Sequence, residues 1–168
     1  TANANGVWTY TLTSNNLSTI GQGSGKSITA SQTDSAGNTG TSNSFSFSVD
    51  TVAPSILIAS IGAGDSTVSS NPADRIIVGS AEANRLITIK FGNTQLGTTT
   101  SDGSGAWTYS LTDLNLTTIG QGSGKSITAS QTDAAGNTGT SNSFSFSVDT
   151  VAPTVAITAV GGNDSTIS

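Results

Sequence analysis

Five side chains of this 168-residue chain have the types to hold a metal ion together: Asp50, Glu82, Asp102, Asp133 and Asn137. Carboxylate and amide oxygens are hard donors. Calcium takes six to eight such oxygens at about 2.3–2.6 Å, filled out by backbone carbonyls and water. Two other uses compete for the same residues. Close carboxylates can pass a proton, but that work needs an enclosing pocket, and no stretch of the sequence predicts one. Asp and Asn also cap turns by bonding the local backbone, with no metal required. Asp133 and Asn137 flank a tight turn, where that role alone accounts for both, so calcium and plain turn chemistry both stay open. No acid spacing matches a calcium-binding loop that ends in a Glu twelve residues on.

Other chemistry is excluded by composition. The chain has no cysteine, histidine or methionine, which removes thiol and imidazole catalysis, nucleophilic triads, zinc sites built on those ligands, and disulfides. The Gly-rich run from Gly120 to Gly124 opens no helix and so does not cradle a phosphate. We expect no enzyme.

The elements that must place the five residues come from a repeat. KSITASQTDSAGNTGTSNSFSFSVDTVAP (26–54) returns as KSITASQTDAAGNTGTSNSFSFSVDTVAP (125–153), with Ser35 replaced by Ala134 as the one difference. The match extends outward without a gap: Trp8 aligns with Trp107, Ile20 with Ile119 and Asp65 with Asp164. The offset is about 99 residues, the size of an ordinary domain rather than a solenoid unit. The reading is therefore the back part of one module (1–51), a complete module (52–150) and the first strand and loop of a third (151–168). A back half alone has too little apolar surface for its own core, which predicts a window cut from a longer array or ends completed by neighbours.

Within the complete module, short β-branched and aromatic runs alternate with Gly, Ser, Asn and Pro. They predict strands at 55–61, 75–80, 85–91, 94–100, 106–112, 125–133 and 141–149, with loops at 62–74 and 113–124. Trp107, Tyr109 and Leu111 share one face, as do Phe144, Phe146 and Val148. Both tryptophans read as core, and Leu114, Leu116 and Ile119 as a plug under it. Seven short strands with no helical period predict an all-β fold, a β-sandwich. Tracing strand directions brings the linker residue Asp50, the turn with Glu82, the turn with Asp102 and the hairpin tip with Asp133 and Asn137 to one pole.

The bulk numbers agree. A formal charge of −5 with only 9% charged residues argues against nucleic acid, which demands clustered Lys and Arg. No apolar run of about 18 residues exists, so no membrane insertion by a helix is expected.

Three stretches together, GTTTSDGSGAWTYSL (97–111), SITASQTDAAGNTG (126–139) and FSFSVDTVAPTVAIT (144–158), resemble the bacterial immunoglobulin-like repeats of very large cell-surface adhesins. Those include biofilm-associated and type I-secreted adhesins of Gram-negative bacteria. The resemblance implies seven-stranded immunoglobulin-like modules in head-to-tail tandem, on the extracellular bacterial cell surface. It implies a stalk that projects a binding tip and is often stiffened by calcium at module junctions. Neighbouring modules of the same chain or array are the expected partners, with host or matrix glycans met only through a tip outside this sequence. The alternatives are a ligand-binding adhesion module and a subunit of an extracellular filament or sheath.

Overall fold

The computed structural model describes residues 2–158; the remainder of the expected third copy, 159–168, lies outside them. The chain divides into two compact units, Thr1–Ala53 with Ala134–Asn137, and Pro54–Asp133 with Thr138–Ser168. In chain order the first unit carries α1 (Ser14–Ile20), β1 (Gly23–Ile28), β2 (Ser31–Thr33), β3 (Thr39–Thr41) and β4 (Phe45–Val49). The second carries β5 (Leu57–Ile61), β6 (Thr67–Val68), β7 (Ile76–Ser80), β8 (Leu86–Phe91), β9 (Thr94–Thr100) and β10 (Ala106–Ser110). It continues with α2 (Asp113–Ile119), β11 (Gly122–Thr132), β12 (Thr138–Thr140) and β13 (Phe144–Val148).

Two sheets form the second unit. One has the order β10-β7-β5; the other runs β6-β13-β11-β8-β9, with β12 added to the far part of β11. All pairings are antiparallel except β6 with β13, which is parallel. The first strand of the unit is thus split: β5 lies in one sheet, and after a kink the chain joins the other as β6. The kink is tight, with left-handed backbone at Gly62, Ala63 and Ser66. One contiguous core fills the space between the sheets, with Ile77 and Ile58 from the first, Ile87, Ile89, Ile127 and Phe146 from the second, and Trp107 between them. This is the predicted β-sandwich.

Period-two alternation explains the core. Ile87 and Ile89 on β8 are fully buried while Leu86 and Lys90 face out, and Phe146 and Val148 are buried while Ser145 is exposed. Trp107 is 2% exposed. It stands directly opposite Gly79 on β7, where any Cβ would overlap both the indole and the Leu57 carbonyl. Gly97 plays the same part for Tyr109, whose ring and hydroxyl occupy the space a side chain would need.

Four expectations are corrected. The loop expected at 113–124 contains helix α2. Thr112 caps it, its hydroxyl accepting from the Asn115 N–H at 3.2 Å while the Asn115 side chain accepts from the Thr112 N–H at 3.0 Å. A single such capping box starts a helix too short to show a period in sequence. Leu116 and Ile119 do plug the core, but Leu114 points away and is 73% exposed. The return strand expected at 141–149 is shorter, Phe144–Val148, and Thr138–Thr140 forms a separate strand ahead of it; between the two the Ser141 hydroxyl accepts from the Ala129 N–H at 3.0 Å. The loop expected at 62–74 holds β6 and two short 3-10 turns.

The first unit repeats these features on a smaller scale. Strands β1 and β4 pair in the register of β11 and β13, Lys26 with Phe47 and Ile28 with Phe45. Helix α1 has the same capping box, Thr13 with Asn16. Its aromatic residues, however, are not inward-facing as predicted: Trp8, Tyr10 and Phe45 are exposed. Among the described residues no helix is long and apolar enough to cross a membrane.

These contacts set three expected outcomes, measured as shifts in urea-unfolding midpoints followed by circular dichroism. Trp107→Ala costs about 3–5 kcal/mol by removing a buried aromatic. Gly79→Val costs about 1–3 kcal/mol, because the overlap has no free rotamer to absorb it. Thr112→Ala costs about 1 kcal/mol through the lost cap.

Candidate functional site

Asp102 sits in the turn between β9 and β10, and its sequence neighbours decide its role. Its Oδ1 accepts from the Ser104 N–H at 2.8 Å, the Ser104 hydroxyl at 2.7 Å and the Ala106 N–H at 2.9 Å. The Ser104 hydroxyl first, then the Ser104 and Ala106 backbone N–H groups, hold its carboxyl below the ordinary value of 3.8. In the first unit the aligned residue is Asn3, whose Oδ1 accepts from the N–H groups of Asn5 and Val7 at 3.0 and 2.9 Å. One turn geometry is thus served by a carboxylate in one copy and by a neutral amide in the other.

Glu82 occupies the turn between β7 and β8. This turn is laced to the Asp102 turn by the Ala81 N–H on the Gly105 carbonyl at 2.8 Å and the Asn84 N–H on the Asp102 carbonyl at 3.2 Å. Buried Ser101 adds a third tie: its hydroxyl donates to the Glu82 carbonyl at 2.5 Å and accepts from the Arg85 N–H at 2.9 Å. The Glu82 N–H donates to Gln131 Oε1 at 3.2 Å. Gln131 is the penultimate residue of β11, so the segment leading to Asp133 ends beside the same turn. Glu82, Asp102 and Asp133 therefore belong to one end of the second unit, as the strand tracing predicted. The Glu82 carboxylate itself is half-exposed and 3.8 Å from Arg85 Nε.

Asp50 and Asn137 belong to the first unit. Asp50 Oδ1 accepts from the Val52 N–H at 3.1 Å, and Asn137 Nδ2 donates to the Asp50 carbonyl at 3.2 Å. The copy of the Asp133–Asn137 turn in the first unit shows what this sequence does. Asp34 Oδ1 accepts from the Ala36 and Asn38 N–H groups at 2.9 and 2.8 Å, and its Oδ2 from Asn38 Nδ2 at 2.9 Å. The Asn38 side chain, then its backbone, lower the Asp34 carboxyl from its ordinary value.

The acids of the opposite end are engaged in the same way. Asp65 accepts from the Thr67 N–H at 2.8 Å, Asp74 from the Ser69 hydroxyl at 2.5 Å, and Asp113 pairs with Arg75 at 2.5 Å. Among the described residues no group of three or more acidic side chains is gathered tightly enough to hold a metal ion.

A feature that sequence reasoning missed is the chain exit. In the second unit Gln121 Oε1 accepts from the Thr150 N–H at 3.0 Å while its Nε2 donates to the Thr150 hydroxyl, and Asp149 Oδ1 accepts from the Val151 N–H at 3.1 Å. In the first unit Gln22, Thr51, Asp50 and Val52 make the same four-residue clamp. Its signal lay in the repeat itself: a glutamine kept in register inside a run of glycine and serine.

Asp102 supplies a pH test. A carboxyl held below its unfolded value contributes stability that is complete above about pH 4 and is lost as pH falls through the folded value. Asp102→Asn keeps the acceptor and loses the charge, so it is expected to lower the neutral-pH melting temperature slightly and to flatten the acid limb. Asp102→Ala flattens that limb as well and lowers the neutral-pH melting temperature further. Thermal melts across pH 2–7 followed by circular dichroism check both.

Three solved structures are similar to this chain. A domain from the M. primoryensis ice-binding adhesin, described as a bacterial immunoglobulin-like domain, is 23% identical and covers 58% of this chain and 98% of its own, with a TM-score of 0.40. A structure concerning host cell surface retention of a 1.5-MDa bacterial ice-binding adhesin is 24% identical, covering 74% of this chain and 42% of that one at a TM-score of 0.42. The BSP domain of a biofilm associated protein is 17% identical, covering 75% and 20% at 0.42. This chain spans less than half the length of the last two. Among curated proteins no relative matches it. The family model described as bacterial Ig-like domain matches residues 63–150, from the kink before β6 to the clamped exit, and the chain belongs to that family.

Proposed function

We propose that the complete repeat is a structural extender of a bacterial surface adhesin, one module of a stalk that carries a binding tip away from the cell. The observation that carries this reading is the exit clamp. Gln121 holds Thr150 and Asp149 holds Val151, so the chain leaves the module in a fixed direction before it reaches Pro153, whose ring limits one backbone angle. A module that fixes its own exit passes orientation to the next module in the array. Membership in the bacterial Ig-like family supports the cell-surface setting. Neighbouring modules are the proposed partners, and glycans are reserved for the tip.

Calcium is the finer part of the proposal. Asp50, Glu82, Asp102, Asp133 and Asn137 are the donors it would use. Asp50 and Asp102 already serve their turns through one oxygen, so the ion would draw on the second. When bound, it would tie adjacent turns together and stabilise the folded state by mass action.

A binding role for the repeat itself draws on the exposed Trp8 and Tyr10 of the first unit. Their counterparts Trp107 and Tyr109 are packed in a core, and this favours the extender.

Two measurements test the reading. Small-angle scattering of the chain is expected to give a distance distribution that broadens in Gln22→Ala; an unchanged distribution removes the clamp as the basis of stiffness. Thermal melts with calcium in hundredfold excess over its dissociation constant should show about 2.7 kcal/mol of added stability over chelator. Identical melts would discard calcium and leave the extender standing.

A further inference from the structure

Between the two units the chain reads Asp50-Thr51-Val52-Ala53-Pro54, and its ends are held by different means. The first unit holds the leading end by hydrogen bonds. Gln22 Oε1 accepts from the Thr51 N–H at 3.1 Å, and Asp50 Oδ1 accepts from the Val52 N–H at 3.1 Å. The second unit holds the trailing end by packing. Pro54 is buried there against Gly139 of β12. A Cβ on Gly139 would fall on the Pro54 carbonyl oxygen, 3.0 Å from its carbonyl carbon and 3.3 Å from the ring Cγ.

Gly139 is a glycine for room and not for backbone freedom. Its φ is not left-handed, unlike that of Gly136 three residues earlier, at 94°, so its conformation suits any residue. The ladder gains nothing from it either, since glycine weakens a strand interior and marks the close approach of another backbone. The strand beneath the seat is firmly founded. Gly139 stands opposite Gln131 of β11. On one side of it the hydroxyls of Thr132 and Thr138 meet at 2.9 Å, and on the other the Ser141 N–H donates to the Ala129 carbonyl at 2.8 Å.

The stretch that neither unit holds is short. It consists of the backbone torsions of Val52 and Ala53, because the peptide groups between them are planar. Ala53 precedes a proline, whose Cδ excludes the helical region and leaves it extended or polyproline-like. The proline ring fixes the next φ.

We propose that Gly139 is the positioning residue of the module's entry, a seat for the linker proline that confines bending of the junction to Val52 and Ala53. Stiffness at the junction then comes from packing and covalent geometry, and needs no cation. The seat stands on the second unit alone; its use in a stalk rests on the extender reading.

The test uses the full 168-residue chain. It has no cysteine, so Ser46→Cys and Lys90→Cys, at exposed strand positions of the first and second unit, carry a unique pair of spin labels. Distances between the labels are read by pulsed electron resonance, in chelator and again in calcium. The expected result is one narrow distribution, the same in both. Gly139→Ala should broaden it severalfold, whereas Gly103→Ala, whose Cβ would meet open space, should leave it unchanged. Ala53→Gly guards against a Gly139 variant that does not fold. It disturbs neither hold, relaxes the residue before the proline, and should broaden the distribution too. An unchanged distribution in folded Gly139→Ala, or in Ala53→Gly, overturns the seat and leaves the extender standing. A distribution that is narrow only with calcium also overturns it, since the ion would then set the direction. One that is broad in the parent chain in both buffers overturns seat and extender together.

Discussion

The indole of Trp107 crosses β7 at Gly79, where that strand carries no side chain, and meets the core formed with Ile87, Ile89 and Ile127 of the other sheet. A buried aromatic of this size removes about 150–250 Å² from water, more than any aliphatic neighbour. The rest of the second unit serves that burial. Strands β5 and β10 bracket β7, Leu116 and Ile119 of α2 close one end, and the Gly97–Tyr109 contact closes the flank. Because interiors are packed to near-crystalline density, the two glycines are as much a part of the core as the rings they admit.

The turn acids divide into those that local geometry needs and those that it does not. Asn3 and Asp102 hold equivalent turns with equivalent bonds, so the turn requires an oxygen acceptor and not a charge. Backbone bonding by itself explains why a side-chain acceptor stands at each position. The charge that Asp102 adds is met within the same turn by the Ser104 hydroxyl and by backbone N–H groups.

Regular patterning was legible in the residues, and local side-chain substitution for backbone was not. Strand β9 was predicted to its end residues from a Gly-Asn hairpin signal and a following β-branched run. Phe146, Val148 and Trp107 were assigned inward from period-two alternation alone. Helix α2 was missed because two residues, Thr112 and Asn115, start it, and seven residues are too few to show a period. Ser141 and Gln121 were missed for a related reason. Each uses a side chain where the backbone would be expected to bond, and a polar residue among many others gives no sign of which one does so. The poles could be traced from strand directions, but the bonds that lace Glu82 to Ser101 and Gln131 depend on side-chain reach, which a sequence does not encode position by position.

The parallel pairing of β6 with β13 has a mechanical consequence. Strand β13 lies at the chain's exit from the second unit, β6 follows β5 after its entry, and β6 and β13 run in the same direction. They are tied by the Ser147 N–H on the Ser66 carbonyl at 3.0 Å and the Asp149 N–H on the Val68 carbonyl at 2.9 Å. A pull applied through Pro54 and Thr150 drags the strands along their length in opposite senses, so these bonds carry load together instead of parting one after another. Under tension the lifetime of the folded unit is set by its rate of unfolding, and the β6–β13 pairing resists beside the β5–β7 ladder, which a pull through Pro54 loads first.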